Sequence, residues 1–118
     1  MPSLSLRVNL DPDGRIGPGK IELLEQIAAF GSISAAARKM EMSYKRAWDL
    51  VDDINRMCGQ AAVARQTGGK HGGGATLTAF GASLVERYRR IERAAATAAR
   101  KDLVSLRSDI GRGGKAAT

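Results

Sequence analysis

Apolar and polar residues alternate strictly at the start of the chain, with Leu4, Leu6, Val8 and Leu10 set against Ser5, Arg7 and Asn9. A period of two predicts a strand with one buried face. Asp11-Pro-Asp-Gly14 then predicts a turn, because proline presets φ and glycine accepts positive φ. From Lys20 to Phe30 the period changes. Ile21, Leu24 and Ala28 align with Leu23, Ile27 and Phe30 as a broad stripe, which predicts a first helix ended by Gly31. Ser32 is placed to cap a second, alanine-dense helix over Ile33 to Met40. Its small Ala36 and Ala37 let a neighbouring helix approach closely. Glu41-Met42 makes a tight turn, with Met42 able to plug the core, and Ser43 caps a third helix. There Ala47, Leu50, Val51, Ile54 and Met57 share one face at three-to-four spacing.

Past Gly59 the pattern becomes short and glycine-punctuated. Ala61 to Thr67 and Ala75 to Thr78 read as two strands around a glycine-rich basic loop, a hairpin. A long helix is predicted from Ala82 to about Asp109. One seam holds Leu84, Tyr88, Ile91, Ala95 and Ala98, and Leu103, Leu106 and Ile110 continue it after a phase shift. The expected division is a winged helix-turn-helix over 1–81, a dimerisation helix over 82–110 and a flexible tail over 111–118. The fold class is mainly α with a small antiparallel β-sheet.

Composition narrows the chemistry. With 118 residues the chain fits one domain, and 43% hydrophobic residues with only 4% aromatics predict an aliphatic, alanine-rich core. The formal net charge of +7 favours an anionic partner once it falls where a fold can use it. One cysteine, Cys58, excludes an internal disulfide and a thiolate zinc cluster. One histidine, His71, has no acidic or thiol partner at ligand spacing, so neither a metal site nor a histidine-based triad is expected. No signal segment or membrane-length apolar run is visible. The expectation is a soluble, cytoplasmic, non-enzymatic protein without a cofactor.

The third helix carries its charge unevenly. Tyr44, Lys45 and Arg46 make a basic exposed first turn, whereas Asp49, Asp52 and Asp53 make the rear acidic. A helix lying whole along phosphates would not carry those aspartates, but one entering a groove by its tip can. Such a triplet is often only a solvated helix start. Behind a serine cap in the third helix of this pattern, DNA contact is the better reading. Arg46 suits bidentate base reading, Lys45 and Ser43 suit phosphate, and Tyr44 suits a phosphate or a thymine methyl. Ser34, whose hydroxyl also suits helix capping, joins this set. Trp48 is assigned to the core or to packing against the second helix. Gly68 to Gly74 lacks the GK[ST] ending of a phosphate loop and joins two strands. It reads instead as a wing, with Arg65, Thr67, Lys70 and His71 contacting DNA.

With these residues assembled, the chain resembles the N-terminal DNA-binding domain of ModE-type molybdate-responsive regulators over roughly residues 4–95. The carriers are Gly31-Ser-Ile-Ser-Ala-Ala-Ala-Arg-Lys-Met40, Met42-Ser-Tyr-Lys-Arg-Ala-Trp48, Leu50-Val-Asp-Asp-Ile-Asn-Arg-Met57, the Thr67 to Gly74 loop and Leu77-Thr-Ala-Phe-Gly81. More distantly it is similar to the winged helix of LysR-type regulators. The resemblance implies binding of double-stranded DNA and a homodimer paired through the long helix, with Leu84, Tyr88, Ile91 and Ala95 at the contact. Full ModE regulators continue into C-terminal oxyanion-binding domains, for which these 118 residues have no room. Molybdate binding by this chain alone is therefore not expected, which leaves two alternatives: a family member that never had the sensor, or a regulator whose signal arrives through a separate sensor protein as a partner. Two other classes use the same features: a nucleoid-like or RNA-binding module without sequence choice, and a winged helix serving as a protein-interaction adaptor.

Overall fold

The protein is described by a computed structural model over residues 2–10, 12, 14–66 and 74–116, with side chains to residue 111. The element order is β1 (Val8–Asn9), β2 (Arg15–Ile16), α1 (Pro18–Phe30), α2 (Ile33–Lys39), α3 (Tyr44–Cys58), β3 (Val63–Gln66), β4 (Gly74–Leu77) and α4 (Ala79–Ala116). β1 and β2 form one antiparallel pair and β3 and β4 another. The mainly helical class with small antiparallel sheets and a long last helix is as expected.

The N-terminal alternation survives as burial, with Leu4, Leu6, Val8 and Leu10 half-buried and Ser5, Arg7 and Asn9 exposed. Ladder pairing, however, is confined to Val8 with Ile16 and Asn9 with Arg15. β2 has no periodic signal of its own and exists because the turn folds it back, closed by the Leu10 amide donating to the Gly14 carbonyl at 2.9 Å. Ile16 thereby reaches the core at 1% exposure.

α1 buries Ile21, Leu23, Leu24 and Ile27. Its stripe is narrower than the sequence suggests: Ala28 is exposed and Phe30 is 53% exposed. Gly31 ends the helix in the left-handed region at φ 73°, where an L side chain would be strained. The carbonyl it presents accepts the Ala75 amide at 2.9 Å, so the end of α1 is where the wing docks. α2 packs on both α1 and α3 through Ala36 and Ala37, buried at 0% and 2%. Between α2 and α3, Glu41 takes φ 55°, and Met42 returns its amide to the Ala37 carbonyl at 3.0 Å. That pins the helix-turn-helix corner. The core is aliphatic and alanine-rich, contains no buried polar residue among those described, and takes in one aromatic, Tyr88.

α4 starts at Ala79, not Ala82, and continues to Ala116 through most of the stretch expected as a tail. Thr78 supplies the reason for the earlier start. Its Oγ1 accepts from the Gly81 amide at 3.0 Å, capping the helix, and donates to the Ala61 carbonyl at 2.7 Å. The root of α4 is tied to α1 by Arg89, which donates to both Glu25 carboxylate oxygens at 2.7 and 3.1 Å and to Glu92 at 2.7 Å. Those hydrogen bonds, Glu25 first, raise the Arg89 pKa and keep it cationic. Tyr88 is 2% exposed and donates its hydroxyl to the Leu6 carbonyl at 2.7 Å. Its expected role in dimerisation is therefore corrected: the ring serves its own chain, holding the N-terminal segment against α4. Burial pushes the Tyr88 and Cys58 pKa values up, so Cys58, half-buried at the end of α3, stays a thiol with little nucleophilic character.

Gly81 crosses the backbone of Ala62 so closely that a Cβ there would lie 2.0 Å from the Ala62 carbonyl oxygen. Backbone cannot yield as a flexible side chain does. Gly81→Ala is expected to destabilise the protein by roughly 1–3 kcal/mol or more, read as a lowered midpoint in thermal or denaturant unfolding. An unchanged midpoint would contradict this packing.

Candidate nucleic-acid interface

The N-terminus of α3 is built by its cap. Ser43 sits in extended backbone and its Oγ accepts from the Arg46 amide at 3.1 Å, leaving the hydroxyl hydrogen for an outside acceptor. The first turn projects from this cap with Ser43, Tyr44, Lys45 and Arg46 all exposed and Ala47 fully buried. The structure thus brings together four of the predicted DNA-binding residues. Lys45 Nζ meets Asp49 at 3.1 Å, with the two side chains 84% and 66% exposed. A pair this open is worth little and costs little to exchange for a phosphate.

The acidic rear is mostly engaged within the protein. Asp53 pairs with Lys20 of α1 at 3.3 Å and with Arg56. Burial pushes its carboxyl up, but the hydrogen bonds and charges of Arg56 and Lys20 outweigh this and hold it below the usual carboxylate range. Asp53 therefore braces α3 on α1 and is not a free negative charge facing a ligand.

Ser34 lies one turn into α2 and is half-buried. The cap of α2 is Ser32, whose Oγ accepts from the Ala35 amide at 3.0 Å. Ser34 instead accepts from Arg38 at 3.0 Å, which corrects its reading as a cap. Thr67, Lys70 and His71 lie outside the described residues.

Trp48 departs from its expected place. It is half-buried on the flank of α3 and outside the core cluster, and the Arg65 guanidinium lies over its ring at 4.2 Å from the centroid. The indole Nε1 donates to the Tyr44 hydroxyl at 2.7 Å. One connected row thus runs from the wing strand β3 through Arg65 and Trp48 to the tip of α3. The sequence assigned Tyr44 and Arg65 to DNA independently, and nothing in their spacing joins them; the α3–β3 connection does. Since Trp48 occupies an acceptor position of Tyr44, the phenolic hydrogen is left to donate outward to a phosphate or base acceptor.

A residue missed from sequence completes the frame. Asn55 Oδ1 accepts the amides of Ala62 at 2.8 Å and Val63 at 3.4 Å, fastening the start of the wing to the rear of α3. A polar residue among acidic neighbours gives no sequence signal for this. Among the described residues no group of His, Cys, Asp and Glu could hold a metal ion. No helix there is long and apolar enough to cross a membrane.

A capped, exposed helix tip beside a two-stranded wing is the arrangement that resemblance to ModE-type and LysR-type domains implies. Residues 19–82 match the bacterial regulatory helix-turn-helix proteins of the lysR family. The chain belongs to that family. Among curated relatives of this lysR-family chain, the DNA-binding transcriptional dual regulator ModE of Escherichia coli (strain K12) is 46% identical over 71 residues, covering 60% of the chain and 27% of that protein. The molybdenum transport protein ModE of Azotobacter vinelandii is 41% identical over 88 residues, covering 73% of the chain and 33% of its own length. The chain therefore spans about a quarter to a third of the length of these relatives. The fold is also that of the protein in the crystal structure of the CbnR_DBD–DNA complex, at TM-score 0.59 and 22% identity over 75% of this chain and 95% of that one.

Trp48 is the single tryptophan, so its emission reports the stack directly. Arg65→Ala is expected to expose the indole, shift its emission to the red and cost roughly 0.5–1 kcal/mol, the range of exposed cation–π pairs. Unchanged emission would show that Arg65 does not cover the ring.

Proposed function

We propose that this lysR-family protein is a sequence-specific, duplex-DNA-binding transcriptional regulator of the ModE type, acting as a homodimer in the control of molybdate or related metal-oxyanion genes. The observation carrying this reading is the exposed first turn of α3, capped by Ser43 and linked through Trp48 to a cationic wing strand. The tip enters a major groove. Arg46 reads a base edge with its planar fork, Lys45 and Ser43 hold phosphates, and Tyr44 donates to a phosphate or meets a thymine methyl. Arg65, with Thr67, Lys70 and His71, lies over adjacent backbone or minor groove. Stacking on Trp48 uses one face of the Arg65 guanidinium and leaves its N–H edge for phosphate.

Support for the dimer comes from α4. Its 38 residues span about 57 Å at about 1.5 Å each, and the molecule is 63 Å in its long dimension. Ile91, Val104, Leu106 and Ile110 are 49–59% exposed along it. Leu84 packs partly on the core of its own chain, so pairing centres on Ile91, Ala95 and the residues beyond. A two-fold pair sets the two tips about one helical turn apart, roughly 34–36 Å, and matches a partly palindromic site. The molybdenum link rests on the names of the relatives.

Selection of bound sequences from a random duplex pool is expected to yield a partly palindromic motif. Arg46→Ala should cost roughly 1–3 kcal/mol and relax selectivity at the positions that Arg46 reads. Unchanged affinity and selectivity would move the recognition role away from Arg46, and a specificity ratio near one would favour a nucleoid-like module. Light scattering of the intact chain should give the dimer mass, with Ile91→Glu shifting it toward monomer; a monomeric wild type would remove the proposed site geometry.

A further inference from the structure

The wing guards only one flank of α3. With 3.6 residues per turn, Tyr44 and Trp48 share the flank facing the wing, Lys45 and Asp49 point outward, and Arg46 and Leu50 share the opposite flank. Beside that opposite flank lies an open groove of about 380 Å³ between the helix-turn-helix corner, the start of α1 and the N-terminal hairpin. Among the described residues Arg7, Arg15, Lys20 and Arg46 are its charged lining, and no carboxylate is among them.

Among the described residues the cations of this groove are only partly compensated. Lys20 is spent internally: it donates to the Arg15 carbonyl at 2.9 Å and pairs with Asp53 at 3.3 Å. Among the described residues no carboxylate pairs with Arg7, Arg15 or Arg46. The groove also receives the N-terminus of α1, which has no side-chain cap and no acidic residue in its first turn. Arg7 lies over that terminus, its Nε 3.8 Å from where a Gly17 Cβ would stand. Cationic side chains gathered at the positive end of a helix repel one another unless an anion joins them. Arg46 ties the groove to the proposed DNA face, because it lines the groove and belongs to the recognition tip.

We propose that the N-terminal hairpin is a second phosphate clamp, in which Arg7 and Arg15 hold the DNA backbone on the side of the recognition helix away from the wing. The assignment rests on the DNA-binding reading of α3. A major groove is bordered by two phosphate strands, and an inserted tip brings both flanks of its helix near them. Arg65 serves one border, and Arg7 and Arg15 serve the other. The clamp is blind to sequence, because phosphates carry no base identity.

The test is binding of a random-sequence duplex to the intact protein as a function of salt. Arg7→Ala and Arg15→Ala are each expected to weaken binding severalfold and to flatten the log–log salt dependence by roughly 0.9 per lost phosphate contact. Base preference at selected sites should stay as in wild type, unlike in Arg46→Ala. Arg7→Lys and Arg15→Lys should keep most of the slope, because a point charge suffices for phosphate. Both arginines are exposed, so thermal midpoints of the variants should match wild type. Wild-type binding with an unchanged slope in the double alanine variant overturns the clamp and leaves the α3 reading standing. No duplex binding by wild type overturns both. Stabilisation by inorganic phosphate that the double variant loses, with DNA binding unaltered, assigns the groove to a free oxyanion and overturns the clamp.

Discussion

Ala62 is the point on which the geometry of this protein turns. Its amide is held by Asn55 of α3, its carbonyl accepts the Thr78 amide at 2.9 Å, and Gly81 of α4 crosses directly against it. Its own side chain is fully buried. Three elements, α3, the wing and the long helix, thus meet on the backbone of one residue. Backbone hydrogen bonds and a backbone contact leave little rotational freedom, so the angles among the three are set together. The wing has a second anchor at the Gly31 carbonyl, and α4 has a second anchor in Arg89 and Glu25.

That node gives the surface chemistry its meaning. Exposed cations cost little stability and say little singly, but here rigid elements present them in an ordered row. Arg65 reaches back over Trp48 to the tip of α3, so wing and tip form one continuous face. On the far flank the N-terminal hairpin brings Arg7 and Arg15 beside Arg46. The aspartates of α3 lie behind the tip, and Asp53 braces α3 against α1 through Lys20. The net charge of +7 is therefore sorted, with much of the negative charge on α3 and α4 paired locally and several cations left outward.

Periodicity was a reliable guide wherever an element buries a wide apolar face. α1, α2, α3 and the wing strands follow from spacing and caps, and Ser32 and Ser43 cap as their positions predict. Two of the errors fall where a feature depends on the tertiary surroundings. Phe30 fits the stripe of α1 by spacing, yet that end of the helix faces solvent. Tyr88 fits an outward seam of α4, yet it is sealed by the N-terminal segment 82 residues away in sequence.

From sequence alone came the local quantities: the ends of α1, α2 and α3 to within a residue or two, the basic tip with its acidic rear, the wing strands, and the family. Each depends on neighbours within a few residues, where propensity, capping and charge act. Tertiary structure decided the stacking of Arg65 on Trp48, the burial of Tyr88, the backbone crossing at Ala62 and Gly81, and the lining of one groove by Arg7, Arg15 and Arg46. These join residues separated by many positions along the chain. No local preference encodes such contacts, because they exist only once packing has fixed the angles between elements.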